Sequence, residues 1–295
     1  MALQRYSFLH KALTAAVNCL VMVIEALIIK YPVGLWIKMV ILRVINYGNM
    51  NKILLLLISL TSAIIQAKGQ TPKIDTVAVS ILDRMSSMIG DLKSCSVIIK
   101  SNYDINSKDL GLVKHFDEQK LYLHGPDKLL EKSEGDKGTR TFSYNGKVLT
   151  YYSLDKNQYA QISLSGSIVE MIDSVNRRYG IEFTAADFFY PSFVDDILGE
   201  SKTLVFLGIS KVDDRECFHI AGTAKDKTFQ FWISDDEFSL PLKMVIVYTS
   251  KENHPQYEAV LSGWQINPDL PDALFEFMPP HKAQKIKMAS TTTLK

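Results

Sequence analysis

From residue 70 onward the spacing of hydrophobic positions changes twice, and the changes divide the chain. Ile74, Val77, Ile81, Leu82, Met85 and Ile89 recur at helical spacing, with Thr71-Pro72 as N-cap and first-turn proline and Gly90 as a stop. We expect one amphipathic helix there. The period then falls to two: Cys95, Val97 and Ile99 alternate with polar residues, and Leu121 and Leu123 alternate with Lys120, Tyr122 and His124. Asn145-Gly146 separates two runs rich in Thr, Tyr and Phe, a strong hairpin signal because both turn residues tolerate positive φ. Further hairpin turns are expected at Gly135-Asp136-Lys137-Gly138 and Asp155-Lys156-Asn157. Helical spacing returns at Ser167, which forms a capping box with Glu170 and is followed by the face Ile168, Met171, Ile172 and Val175 before Gly180. Two short helical turns, 184–190 and 192–198, are split by Pro191. Strands are then expected at 203–209, 216–222, 228–234, 242–250, 257–266 and 273–277, a spacing typical of sandwiches and barrels.

Several strands are apolar on both faces. Phe229, Phe231 and Ile233 face one way and Trp232 the other, while Val245 and Val247 oppose Met244, Ile246 and Tyr248. A sheet with one wet face alternates more cleanly. This sheet should therefore be covered by helices on one side and curved around something on the other. No internal repeat is evident, and the only biased segment is the Ser/Thr/Lys tail.

The first 67 residues are of a different kind. From Met50 a short cationic start, an apolar run over 53–65 and small residues at Ala67 and Gly69 form the layout of a secretory signal peptide, with cleavage expected within 67–70. The run is shorter than the roughly 20 apolar residues of a spanning helix, and no Cys closely follows it to carry a lipid. Upstream, 12–29 and 33–45 are also apolar apart from Glu25, Lys38 and Arg43. They are either a membrane hairpin, which would anchor the protein, or leader sequence from a start placed too early. We prefer the second because a complete signal peptide begins at Met50. The expected organisation is an upstream extension 1–49, a signal peptide 50–69, one β-rich domain 70–288 and a flexible tail 289–295. After processing the protein would be periplasmic or secreted.

Charge narrows the function classes. From residue 68 onward 27 bases stand against 31 acids, which argues against a phosphate-backbone partner and excludes nucleic acid from the reading. Cys95 and Cys217 remain after processing; an oxidising compartment permits a bridge, but two buried free thiols is the preferred reading.

Candidate chemistry is sparse. Cys217 and His219 share a strand face and could begin a metal site or a nucleophile–base pair, yet no second ligand pair lies at useful spacing, and we read them as core. Asp195-Asp196 and Asp235-Asp236-Glu237 read as helix capping and turn charge. No phosphate loop, nucleophile elbow or His-Glu-x-x-His is present, so the sequence makes no positive case for an enzyme or a cofactor. Aromatic residues are more informative, because a curved sheet holding an apolar ligand and an ordinary β core draw on the same types.

A family resemblance rests on Phe142-Ser143-Tyr144-Asn145-Gly146-Lys147, Cys217-Phe218-His219-Ile220-Ala221, Phe231-Trp232-Ile233, Gly263-Trp264 and the terminal Phe275-Glu276-Phe277-Met278-Pro279-Pro280. The chain resembles a family of predicted periplasmic bacterial proteins of unknown function (domain of unknown function 2092), related in fold to the lipoprotein carriers LolA and LolB. Thr184, Phe189 and His281 depart from the pattern expected of the family. The resemblance implies a mainly β (α+β) fold: a curved antiparallel half-barrel of about ten strands, with an N-terminal helix and a helical insert on its concave face. It carries over no catalytic residues. The leading expectation is a carrier or sensor for an acyl chain, lipid or lipoprotein-like apolar ligand, held by Ile168, Met171, Ile172, Phe188, Phe189, Phe229, Phe231, Tyr248 and Trp264. The alternatives are an envelope regulator that binds a partner protein and, third, an unrecognised hydrolase. A monomer is expected.

Overall fold

The computed structural model describes residues 73–183 and 186–289; the readings made for residues 1–72 and for the tail from 290 lie outside them. Among the described residues thirteen strands form a single open, curved sheet in the order β1-β8-β9-β10-β11-β12-β2-β3-β4-β5-β6-β7-β13. The strands are β1 (Lys73–Ile74), β2 (Ser94–Ser107), β3 (Gly111–His124), β4 (Lys128–Gly135), β5 (Gly138–Asn145), β6 (Val148–Ser153), β7 (Gln158–Ser163), β8 (Thr203–Val212), β9 (Arg215–Thr223), β10 (Thr228–Ser234), β11 (Pro241–Val247), β12 (Gln256–Ile266) and β13 (Gln284–Lys285). Helices α1 (Thr76–Gly90), α2 (Ile168–Tyr179) and α3 (Phe193–Glu200), with a 3-10 turn at Ala186–Phe189, complete the domain. About ten antiparallel strands were expected; the sheet has thirteen and is mixed, the two-residue strands β1 and β13 adding parallel to β8 and β7 at its two edges.

Each run of strands is a local meander, and pairing of β12 with β2 joins them. Tyr257 stands opposite Tyr103 and Ile266 opposite Cys95, with a bulge between Ser262 and Gln265 where Gly263 takes φ 61°. The hairpin at Asn145-Gly146 forms as expected, with Gly146 at φ 85°.

Two expected elements differ. The first helix starts at Thr76, not beside Thr71-Pro72, because Lys73 and Ile74 pair with Thr203 and Leu204 of β8. Asp75 then becomes the cap: its Oδ1 accepts from the Val77 N–H at 2.9 Å and its Oδ2 from the Phe206 N–H at 3.2 Å. That start turns Ala78, Ile81, Leu82, Met85 and Ile89 inward and leaves Val77 exposed. The strand expected at 273–277 is instead a 3-10 turn, Asp272–Phe275, introduced by Pro271. The aromatic alternation there has another use: Phe275 is buried beside His124, and Phe277 packs on Tyr152 and Tyr159.

That packing explains why strands in the β3–β7 half are buried on both faces. Leu129, Phe142, Tyr144, Leu149 and Ile162 face the concave core, while Leu130, Ser143 and Thr150 are buried on the outer face of the same strands. The C-terminal segment lies along that outer face. It is held by Lys128 Nζ to Asp272 Oδ1 at 2.6 Å, Asn145 Nδ2 to Glu276 at 3.0 Å, and backbone bonds from Gln284 and Ile286 to Asn157 and Tyr159.

Within the concave core of this half lies a buried ionic cluster. Asp117 Oδ2 accepts from Arg140 Nη2 at 3.0 Å and from Gln119 Nε2 at 2.8 Å. Glu131 is buried on the same face; desolvation pushes its carboxyl up to about 7, with Arg140 opposing and Asp117 adding to the rise.

Candidate functional site

The insert between the two meanders is built by local sequence signals. Ser167 Oγ accepts from the Glu170 N–H, and Glu170 Oε2 accepts from the Ser167 N–H at 2.8 Å, so the capping box fixes where α2 begins. Gly180, at φ 63°, ends it in the left-handed conformation that costs glycine least. The Tyr190 hydroxyl donates to Asp173 Oδ1 at 2.8 Å and ties the 3-10 turn back to α2. Burial and that contact hold the phenol above its ordinary range. Phe188 and Phe193 pack edge-on against Phe231 of β10, each at 5.8 Å between ring centroids, which seats the insert on the sheet.

The insert does not fill the concave face. Between it and strands β10 and β11 lies a partly open cavity of about 570 Å³, within the size range of small-molecule sites. Its floor is apolar and buried: Phe188, Phe193, Phe229, Phe231 and Met244. Ile172, Ile197 and Ile246 extend the apolar wall. Gly222 stands opposite Phe229 across the β9–β10 ladder, and a Cβ there would run into the Phe229 ring. The absence of a side chain lets that ring lie across β9.

The mouth has a different character. Asp173, Glu182, Asp187, Asp196 and Glu200 line it, and all but the half-buried Asp173 are exposed. Among the described residues Lys227 is the one cation in the lining, and its Nζ lies 2.8 Å from Glu200 Oε2. Desolvation lifts the Asp187 carboxyl; Lys227 opposes this, and Asp196, Glu182 and Glu200 add to it.

Of the nine residues expected at the site, Ile172, Phe188, Phe229 and Phe231 line the cavity. Ile168, Met171, Phe189 and Trp264 pack into or against the core instead, and the Trp264 indole N–H donates to the Pro241 carbonyl at 3.1 Å. Tyr248 lies beyond the end of β11, with the Lys251 ammonium 3.9 Å from its ring centroid. The acidic mouth escaped the reading of the sequence. Its signal was available: residues 168–200 carry seven acids against two arginines.

The Cys217–His219 pair is occupied structurally. The buried Cys217 thiol donates to the Arg215 carbonyl at 3.2 Å, and burial raises its pKa. His219 Nε2 is 2.9 Å from Gln230 Oε1, and its ring stacks on Trp232 at 4.2 Å. Cys95 and Cys217 are both free and buried, and desolvation pushes the Cys95 thiol up to about 12. Asp196 accepts from Ser192 Oγ at 2.7 Å at the start of α3, and Asp236 accepts from the Phe238 and Ser239 N–H groups in its turn.

An open, curved sheet with helices on its concave face and a cavity beneath them defines a helix-covered β half-barrel. The chain belongs to the family described as predicted periplasmic protein (DUF2092), which matches residues 78–289. Among solved structures it is similar to an uncharacterized conserved protein from Thermus thermophilus (12% identity, 72% of this chain and 99% of that one, TM-score 0.41). It is also similar to the lipoprotein LppX of Mycobacterium tuberculosis (15%, 67% and 98%, TM-score 0.38) and to a LolA superfamily protein from Nitrosomonas europaea (12%, 68% and 97%, TM-score 0.33). An uncharacterized protein of Methanocaldococcus jannaschii is 27% identical over 154 residues, 51% of this chain; the chain spans 39% of the length of that curated relative. No helix among the described residues is long and apolar enough to cross a membrane.

Proposed function

We propose that this protein binds an apolar small molecule or lipid chain in the cavity between the helical insert and strands β10 and β11, and that it serves in the periplasm as a carrier or sensor of that ligand. The observation that carries the reading is a cavity of about 570 Å³ with a floor of buried phenylalanines. Such a floor binds by removing ligand surface from water, at roughly 25 cal/mol per Å² before the cost of association. The family description, predicted periplasmic protein, supports that compartment.

Saturable fluorescence enhancement of N-phenyl-1-naphthylamine tests the reading, because that probe is uncharged at neutral pH and brightens in apolar surroundings. The native protein should take it up. Ile246→Trp, which fills the cavity from β11, should weaken uptake by about tenfold or more, equivalent to roughly 1.4 kcal/mol. Absence of saturable uptake, or uptake indifferent to the substitution, defeats the reading.

A further inference from the structure

The cavity's mouth bears on which apolar ligand it can take, an inference that rests on the apolar-ligand reading above. Among the described residues five carboxylates and one ammonium line the cavity, and that ammonium is already engaged by Glu200. The hydroxyls that contact Asp173 and Asp196 bring hydrogen bonds and no positive charge. Arg177 and Arg178, the two bases of the insert, are exposed on α2 and do not line the cavity. A ligand whose tail reaches Phe229 and Phe231 must leave its head among these carboxylates. There, like charge is penalised and opposite charge rewarded, and the low-dielectric walls of a cleft strengthen both effects.

We infer that the cavity selects amphiphiles with a cationic head, such as a long-chain amine or quaternary ammonium, over chains ending in a carboxylate or phosphate. The lining itself carries a surplus of negative charge, five carboxylates against the ammonium of Lys227 among the described residues. A cationic head would relieve that surplus. An ordinary fatty acid would add to it.

Displacement of bound N-phenyl-1-naphthylamine by dodecyltrimethylammonium and by dodecanoate, equal in chain length and kept below self-association, tests the inference. The ammonium should compete about tenfold more strongly at low salt, and the gap should narrow at high salt. Removing two mouth charges with Glu182→Gln and Asp187→Asn should narrow it as well. Asp195→Asn, an exposed neighbour outside the lining, should leave the gap in place. Equal or stronger competition by dodecanoate overturns the inference, as does a gap that survives both high salt and the double substitution. If the probe binds and the heads are not distinguished, only the charge selection fails. If the probe itself does not bind saturably, the apolar-ligand reading fails with it.

Discussion

The β3–β7 half of the sheet and the β8–β11 half are continuous, yet they use their apolar residues to different ends. In the first, the core fills the concave side, and the C-terminal segment, anchored by Phe275 and Phe277, covers part of the outside, over Leu130, Ser143 and Thr150. In the second, the helical insert spans the concave side and leaves a cavity above Phe229 and Phe231. Even the charges follow the division. In the first half the buried Asp117 is paired with the half-buried Arg140, while at the cavity the carboxylates are mostly exposed and, among the described residues, outnumber the cation Lys227. Similar residues thus build a packed scaffold in one place and the wall of a cavity in another, and what separates them is whether a covering segment fills the space it spans.

The largest effect should come from uncovering the first half. Phe275→Ala removes a fully buried ring, and we expect a loss of about 4 kcal/mol in urea denaturation. A loss below about 1 kcal/mol would mean the C-terminal segment is not part of the folded unit.

Next is the ionic cluster. Arg140→Met leaves the buried Asp117 and Glu131 without their cation and should cost about 3 kcal/mol at neutral pH. The cost should shrink in acid as the carboxylates take up protons. A pH-independent cost would point to lost packing instead.

Glu131 should also give the native protein a pH signature. Its folded value of about 7 lies above the ordinary 4.5, so between those values the folded state holds a proton that the unfolded chain has released. The contribution is fully present below about pH 4.5 and is lost as pH rises through 7, by up to about 3 kcal/mol. Glu131→Gln should flatten that slope in denaturation measured across the window; an unchanged slope assigns it to other groups.

A smaller effect is expected at the cavity floor. Gly222→Ala drives a methyl into the Phe229 ring, which has the neighbouring cavity to move into, so the destabilisation should be about 1 kcal/mol, the low end for overpacking. Probe uptake should fall alongside. A cost above about 3 kcal/mol would show that the floor is as rigid as the first half.

The local part of this architecture was legible in the sequence. The turns at Asn145-Gly146 and the capping box at Ser167 are short-range devices, and the structure uses both as read. Phe275 and Phe277 were harder: their alternation is that of a strand, and only contact with His124, Tyr152 and Tyr159, more than a hundred residues away, decides otherwise. The same holds for the start of α1, where pairing of Ile74 with Leu204 overrides a good local cap. For the cavity, aromatic type alone did not separate Phe229, which lines it, from Trp264, which packs elsewhere and binds the Pro241 carbonyl. A packed ring and a cavity wall have the same hydrophobicity, and empty space leaves no trace in composition.

The central claim is that an apolar chain occupies the space between α2 and strands β10 and β11. Crystals of the protein grown with 12-bromododecan-1-ol and measured at the bromine absorption edge test it most directly. We predict one dominant anomalous peak in van der Waals contact with the floor formed by Phe229, Phe231 and Met244. Bromine found only on the outer face of the sheet, or no ordered bromine at all beside an unchanged cavity, would contradict the account.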